Sequence, residues 1–246
     1  MAEADEFWGG GDSSTEPDTY IDLEDTGDGG VTVWARDMWR FVDRQSLFGQ
    51  FCNFVNEYAA RLDGIVVLHA GGVRTPDGRV LVLPGSVDAG KSTLTAALVQ
   101  AGCDYLGDES IGVRQGTLFA VGYPKPMTMD RVSCDVLSLN KSLGPNVPVR
   151  EVRETAALLA GDVGPIDEVV LPTYRPGSQS VRTLTEPREA SRELLSNTLN
   201  LGRSGQEGLR TLAELAERVP VVRIVHMDSV ELAAELAAGP AAERSV

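Results

Sequence analysis

The stretch VLPGSVDAGKSTL, residues 82–94, decides how this chain is read. Gly85, Gly90, Lys91 and Ser92 fit the spacing G-x-x-x-x-G-K-[ST]. The apolar run at 80–83 predicts a strand before the loop, and TLTAAL at 93–98 predicts a helix after it. Backbone N–H groups in such a turn converge on anionic oxygens, and the dipole of the following helix adds partial positive charge at the same place. The residues expected to wrap a phosphate are Gly85, Ser86, Val87, Asp88, Ala89, Gly90, Lys91, Ser92 and Thr93. In this pattern Lys91 reaches the β/γ-phosphates of a nucleotide and the Ser92 hydroxyl completes a Mg²⁺ shell. Asp88 stands where glycine is frequent. It tolerates left-handed backbone better than most residues, but it brings a negative charge toward the phosphates.

Upstream of the loop, IVVLHAGGVRTPDGRVLVLPG (65–85) reads as two strand-forming runs around Pro76-Asp77-Gly78. Pro presets the first turn dihedral there and Gly takes the positive one, so the loop hangs from a hairpin strand. Downstream, a helix at 92–101 ends at Gly102, and a second strand ends at Asp108-Glu109. Residues 110–121 read as another hairpin, 122–126 as a Pro-rich loop and 168–171 as a short strand. Helical periodicity fills 186–201 and 208–218, followed by a strand at 221–225 and an amphipathic helix at 230–238. Hairpins on both sides of the loop, rather than simple βαβ succession, predict an α/β fold with a mixed β-sheet and flanking helices.

The N-terminal part reads differently. Residues 1–18 are acidic and rich in Gly and Ser, which predicts a disordered tail, with Trp8 incidental. Tyr20 to Leu23 and Val31 to Trp34 predict a hairpin turning at Asp28-Gly29-Gly30, and 46–62 carries an apolar stripe at helical spacing. From 19 to 246 the expectation is a single domain.

With a net charge of −14 over 246 residues, the chain lacks the clustered Lys and Arg that grip nucleic acid or an anionic membrane, so neither is expected as a partner. No stretch approaches the roughly 20 apolar residues of a membrane helix, and the opening residues are not a secretory signal. The three cysteines, Cys52, Cys103 and Cys134, are widely spaced and lack a metal-binding pattern, which favours buried thiols and a cytoplasmic location. Oligomeric state is left open, a homo-oligomer included.

GSVDAGKST also resembles the first motif of translation-factor GTPases. Asp104-Tyr105-Leu106-Gly107 follows Lys91 too soon to serve as their D-x-x-G switch, and Asn140-Lys141-Ser142-Leu143 ends in Leu143 where a guanine-reading carboxylate belongs. That reading is rejected. LHAGGV before the loop, the loop itself, YLGDESIGV after it and then YPKP are similar to the HPr kinase/phosphorylase superfamily, in particular its shorter HPr kinase-like members. The resemblance runs from about Trp34 to the C-terminus and implies a P-loop kinase core of the HPr kinase type that uses ATP and Mg²⁺. It implies that His69, Lys91 and the acidic pair Asp108-Glu109 surround the γ-phosphate. The family's pair is commonly Asp-Asp, so Glu109 departs from it.

Phosphoryl transfer to a hydroxyl needs a carboxylate to accept or orient the hydroxyl proton and cations to spread the charge of the transferring group. Alternation along a strand puts Asp108 and Glu109 on opposite faces, with Asp108 as the expected base and Glu109 bracing either Mg²⁺, beside Ser92, or the backbone. His69 is one of two histidines and is placed on the strand paired with the loop strand. His226 is read as structural. Lys125, in Tyr123-Pro124-Lys125-Pro126, could meet a phosphate, although a solvated lysine is the plainer reading. Arg175, in a Pro-flanked loop, is a candidate for stabilising transition-state charge.

The expected activity is transfer of a phosphoryl group to an alcohol, either a peptide or protein Ser/Thr or a small molecule. HPr is doubtful as acceptor, because the long N-terminal domain and the downstream signature of true HPr kinases are missing. Three alternatives stay open: a phosphoenolpyruvate carboxykinase-like enzyme, for which no metal-binding His/Lys/Asp set is evident; a catalytically silent nucleotide-binding scaffold; and a phosphate loop without nucleotide function.

Overall fold

The computed structural model describes residues 22–27, 30–35, 38–43, 62–86, 89–140 and 146–239. The chain divides into two units at 63/64, where the sequence reading has one domain from residue 19 onward. The expected tail at 1–18, Cys52 and all of the apolar stripe at 46–62 except Leu62 lie outside the described residues.

The first unit contains three antiparallel strands, β1 (Asp22–Asp25), β2 (Gly30–Ala35) and β3 (Met38–Asp43). The expected hairpin is present in β1 and β2, with Leu23 opposite Val33, and Val33 is buried. Strand β3 was not expected from the sequence.

In the second unit, β4 (Ile65–Leu68), β5 (Ala70–Arg74) and β6 (Val80–Pro84) precede α1 (Lys91–Gln100). Then come β7 (Asp104–Gly107), β8 (Ile111–Arg114), β9 (Phe119–Gly122), β10 (Met127–Thr128), α2 (Arg131–Val136), β11 (Asn146–Val147) and α3 (Val149–Val152). The chain continues through β12 (Gly161–Pro165), β13 (Glu168–Tyr174), β14 (Val181–Leu184), α4 (Pro187–Ser196), α5 (Leu201–Arg218), β15 (Val221–His226) and α6 (Ser229–Ala238). These six are the helices among the described residues.

A six-stranded sheet runs β14-β15-β13-β6-β5-β7, parallel where β13 meets β15 and β6 and antiparallel elsewhere, so it is mixed. Strand β6 is covered on both faces. Leu81 and Leu83 join α1 and α6 in one core, whereas Val80 and Val82 join β4, β8, α4 and α5 in the other. A four-stranded sheet, β12-β9-β8-β4, contributes to that second core.

The hairpin before the loop forms as its turn chemistry predicts: Gly78 takes φ 93°, and the Thr75 N–H donates to the Arg79 carbonyl at 2.8 Å. Helix α1 is buried almost all round. It closes with Gly102 at φ 109°, where the Cys103 N–H donates to the Leu98 carbonyl and the Gly102 N–H to that of Val99.

The run at 65–74 is not one strand. The chain bends at His69, so β4 pairs with β8 in one sheet and β5 with β6 in the other. The segment after α4 enforces this corner: the Asn200 amide donates to the Ile65 carbonyl while its oxygen accepts from the Val67 N–H, each at 2.9 Å. The His69 N–H donates to the Asn197 carbonyl at 2.6 Å.

Candidate functional site

The loop at 85–92 joins the end of β6 to the first turn of α1, with 87 and 88 outside the described residues. Gly90 caps the helix at φ 85° and ψ 13°, a left-handed backbone that side chains disfavour. A Cβ at Gly85 would sit 3.2 Å from Ala89 Cβ and 3.4 Å from Lys91 Cδ, so glycine lets the lysine fold back under the loop. The Lys91 Nζ then donates to the Ser86 carbonyl at 2.8 Å, and the side chain is nearly buried.

The Ser92 hydroxyl donates to Asp108 Oδ1 at 3.2 Å, linking α1 to the end of β7. Asp108 is buried, and its Oδ2 has no hydrogen-bond partner among the described residues. Burial pushes the carboxyl above its ordinary value. The Lys125 charge opposes this, Glu109 adds to it, and the Ser92 hydrogen bond and Lys91 pull it back.

Strand β7 stops at Gly107, and Glu109 adopts φ 74°, so the strand alternation expected at 108–109 does not apply. The two carboxylates take different partners around one cluster, Asp108 at Ser92 and Glu109 at Lys125, whose Nζ lies 2.8 Å from Glu109 Oε2. The carboxylate beside the Ser92 hydroxyl is that of Asp108, not that of Glu109.

Lys125 is the residue that sequence reasoning undervalued. Its side chain is fully buried, its carbonyl accepts from the Tyr105 hydroxyl at 2.9 Å, and its charge acts on Asp108 and His69. The available signal was the stiffness of Pro124-Lys125-Pro126, which fixes a lysine where a flexible loop would release it.

His69 sits at the sheet-switching bend rather than on a strand, and it lines the same cavity as Lys91, Ser92 and Glu109. Burial lowers its pKa, Lys91 and Lys125 lower it too, and Glu109 opposes them, so the neutral imidazole is favoured at neutral pH. Arg175 is exposed and does not line that cavity. Its N–H donates to the His226 carbonyl at 2.8 Å, which ties its backbone to β15 and leaves its side chain outside the cluster.

His226, read as structural from the sequence, is fully buried, and neither ring nitrogen has a hydrogen-bond partner of ordinary geometry among the described residues. Its Nε2 lies 3.7 Å from where a Cβ on Gly90 would be, so the ring packs against the loop.

The cavity has a volume of about 670 Å³. One end holds His69, Lys91, Ser92 and Glu109, and the other is bounded by α2 and the start of α6. No group of three or more His, Cys, Asp or Glu suited to a metal occurs among the described residues. A hard cation that keeps several waters and takes one or two protein oxygens fits such a donor set, and the unpartnered Asp108 Oδ2 beside the Ser92 hydroxyl is where those oxygens are found.

No helix among the described residues is long and apolar enough to cross a membrane. No protein-family model matches the chain, and no curated protein matches it. Among solved structures, the Hpr(Ser) kinase/phosphatase from Coxiella burnetii matches at 11% sequence identity and a TM-score of 0.34, over 65% of this chain and 78% of that chain. That likeness is too slight to fix topology or chemistry.

Proposed function

We propose that the protein is an ATP- and Mg²⁺-dependent phosphotransferase of the HPr kinase-like kind, built on a P-loop core, which moves the γ-phosphoryl group to a hydroxyl. The acceptor is a peptide or protein Ser/Thr or a small-molecule alcohol. The observation that carries this reading is the buried Asp108 carboxylate, with one oxygen on the Ser92 hydroxyl at the start of α1 and the other unpartnered, under the influence of Lys91 and Lys125.

Gly85, Ser86, Ala89 and Gly90 present the loop backbone, and Lys91 leaves the Ser86 carbonyl for a phosphate oxygen. Ser92 and Asp108 would hold Mg²⁺, which when bound draws charge from the phosphate oxygens. Glu109 lines the cavity whereas Asp108 does not, so Glu109 orients the acceptor hydroxyl and takes its proton, with Lys125 fixing the carboxylate in place. A neutral His69 donates to a phosphate oxygen, or donates to or accepts from the acceptor hydroxyl, without adding charge.

The test is calorimetric titration of Mg-ATP into the wild type and Lys91→Ala, followed by acceptor screening. Binding lost in the variant is expected. Equal binding in the two proteins removes the loop from the reading.

The phosphoenolpyruvate carboxykinase-like alternative gains from one observation: His69, Lys125 and the acidic pair, unconnected in the sequence, influence one another across the site. Nucleotide-dependent decarboxylation of a β-keto acid, with no alcohol phosphorylated, would select it.

A further inference from the structure

Large apolar side chains left exposed on one cavity wall call for an occupant. Val132 (69% exposed), Val136 (48%), Met227 (51%) and Val230 (46%) all line the cavity that also holds Lys91 and Ser92. Val132 and Val136 are four residues apart on α2 and share a face, while Cys134 of the same helix is buried in the core. Met227 and Val230 flank Asp228, whose carboxylate caps α6 by accepting from the Val230 and Glu231 N–H groups. Two apolar walls from separate elements therefore bound the same space.

Both walls are fastened to the phosphate end. Thr93, in the first turn of α1, shares a hydrogen bond of 2.7 Å with the hydroxyl of Ser133, the residue after Val132. His226, the residue before Met227, packs against Gly90. A ligand anchored by its phosphates at Gly90, Lys91 and Ser92 and extending into the cavity would meet both Val132 and Met227. The carboxylates at that end, Asp130 and Asp228, already serve as helix caps, so the apolar surface left on the two walls is that of Val132, Val136, Met227 and Val230.

We infer that this slot, between Val132 and Val136 on one side and Met227 and Val230 on the other, holds the flat base of the nucleotide. The inference rests on the reading of the loop as the nucleotide's phosphate site. A planar ring buries both faces between aliphatic walls, and it is the part of a nucleotide that phosphate contacts alone do not recognise.

The experiment compares ATP with inorganic tripolyphosphate, each with Mg²⁺, by titration into the wild type and the double variant Val132→Ser/Met227→Ser. The wild type is expected to bind ATP more tightly than tripolyphosphate. The variant is expected to lose about tenfold in ATP affinity, with tripolyphosphate affinity unchanged, which also reports that the loop is folded. Val136→Trp offers an indole for stacking and is expected to tighten ATP several-fold and leave tripolyphosphate as it was. If ATP and tripolyphosphate both bind the wild type but neither variant alters ATP, the base lies elsewhere and the inference fails while the phosphate site stands. If tripolyphosphate and ATP both fail to bind the wild type, the phosphate reading itself falls and the base slot with it.

Discussion

The Lys125 ammonium lies 2.8 Å from the Glu109 carboxylate, with the lysine fully buried and the glutamate about a third exposed. Separating such a pair from its solvent is worthwhile only when the geometry is used, because a buried pair is weak evidence for stability by itself. Lys125→Met is therefore expected to leave nucleotide affinity within about threefold and to lower the transfer rate by about a hundredfold or more, the scale for loss of one preorganised group at a reacting centre. Steady-state kinetics with separate kcat and KM would check this. A rate within twofold of wild type would make Lys125 a packing residue.

Asp108→Asn should separate stability from function. Burial raises the Asp108 pKa above its ordinary 3.8, so the folded state holds its proton to higher pH than the unfolded chain does. The stability this group confers is therefore present below about pH 4 and is lost as pH rises through the folded value, leaving a cost at neutral pH. The asparagine variant removes that charge and is expected to gain about 1 kcal/mol in the ligand-free protein, roughly 2–4 °C in Tm at this size. Its advantage should grow as pH rises from 4, while Mg²⁺-dependent ATP binding is lost. A variant less stable than wild type at pH 7 would show that Asp108 holds the fold together rather than waiting for a ligand.

Local chemistry accounts for what was legible in the sequence. The turn at Pro76-Asp77-Gly78, strand β6, the glycine pattern and α1 are each specified by neighbouring residues, and all appear where expected. Long-range pairings account for what was missed. The bend at His69 arises because Asn200, more than a hundred residues away, satisfies the backbone of β4. Lys125 reads as a loop lysine until Tyr105 takes its carbonyl and Glu109 its ammonium. Strand alternation does not reach Glu109, because a positive φ follows the strand end, and nothing in Asp-Glu announces that. Strands β10 and β11 are two residues each and β14 is exposed along its length, so neither length nor alternation marks them.

His226 governs part of the acid response. Burial lowers its pKa below the ordinary 6.5, with the Asp228 backbone and charge opposing, so the folded state disfavours the proton that the unfolded chain accepts. That stability is full above about pH 6.5 and is lost as pH falls through the window below it. His69 shifts the same way and shares the slope. His226→Leu removes a fully buried ring that burial keeps neutral and is expected to flatten, without abolishing, the fall in urea midpoint between pH 7 and 5. An unchanged slope would assign the acid response to other groups.

Gly90 and Gly78 share a positive φ and differ in surroundings, which makes them a useful pair. Gly90 has φ 85°, and a Cβ there would meet Tyr174 Cβ at 3.2 Å and the His226 ring at 3.7 Å. Gly78 has φ 93° with nothing within 4 Å of a Cβ. The wall beside Gly90 is held in place: Tyr174 stands opposite His226 in the β13–β15 register, and the Tyr174 N–H donates to the Ala89 carbonyl at 3.3 Å. Alanine at either site carries the left-handed penalty of about 1–2 kcal/mol. Only Gly90→Ala must also move the loop, so it is expected to weaken Mg-ATP binding at least tenfold while Gly78→Ala binds as wild type, with the larger loss in Tm at Gly90. Calorimetry on the two variants decides it. If Gly90→Ala binds nucleotide as Gly78→Ala does, the 85–92 loop is a structural turn and the phosphates lie elsewhere.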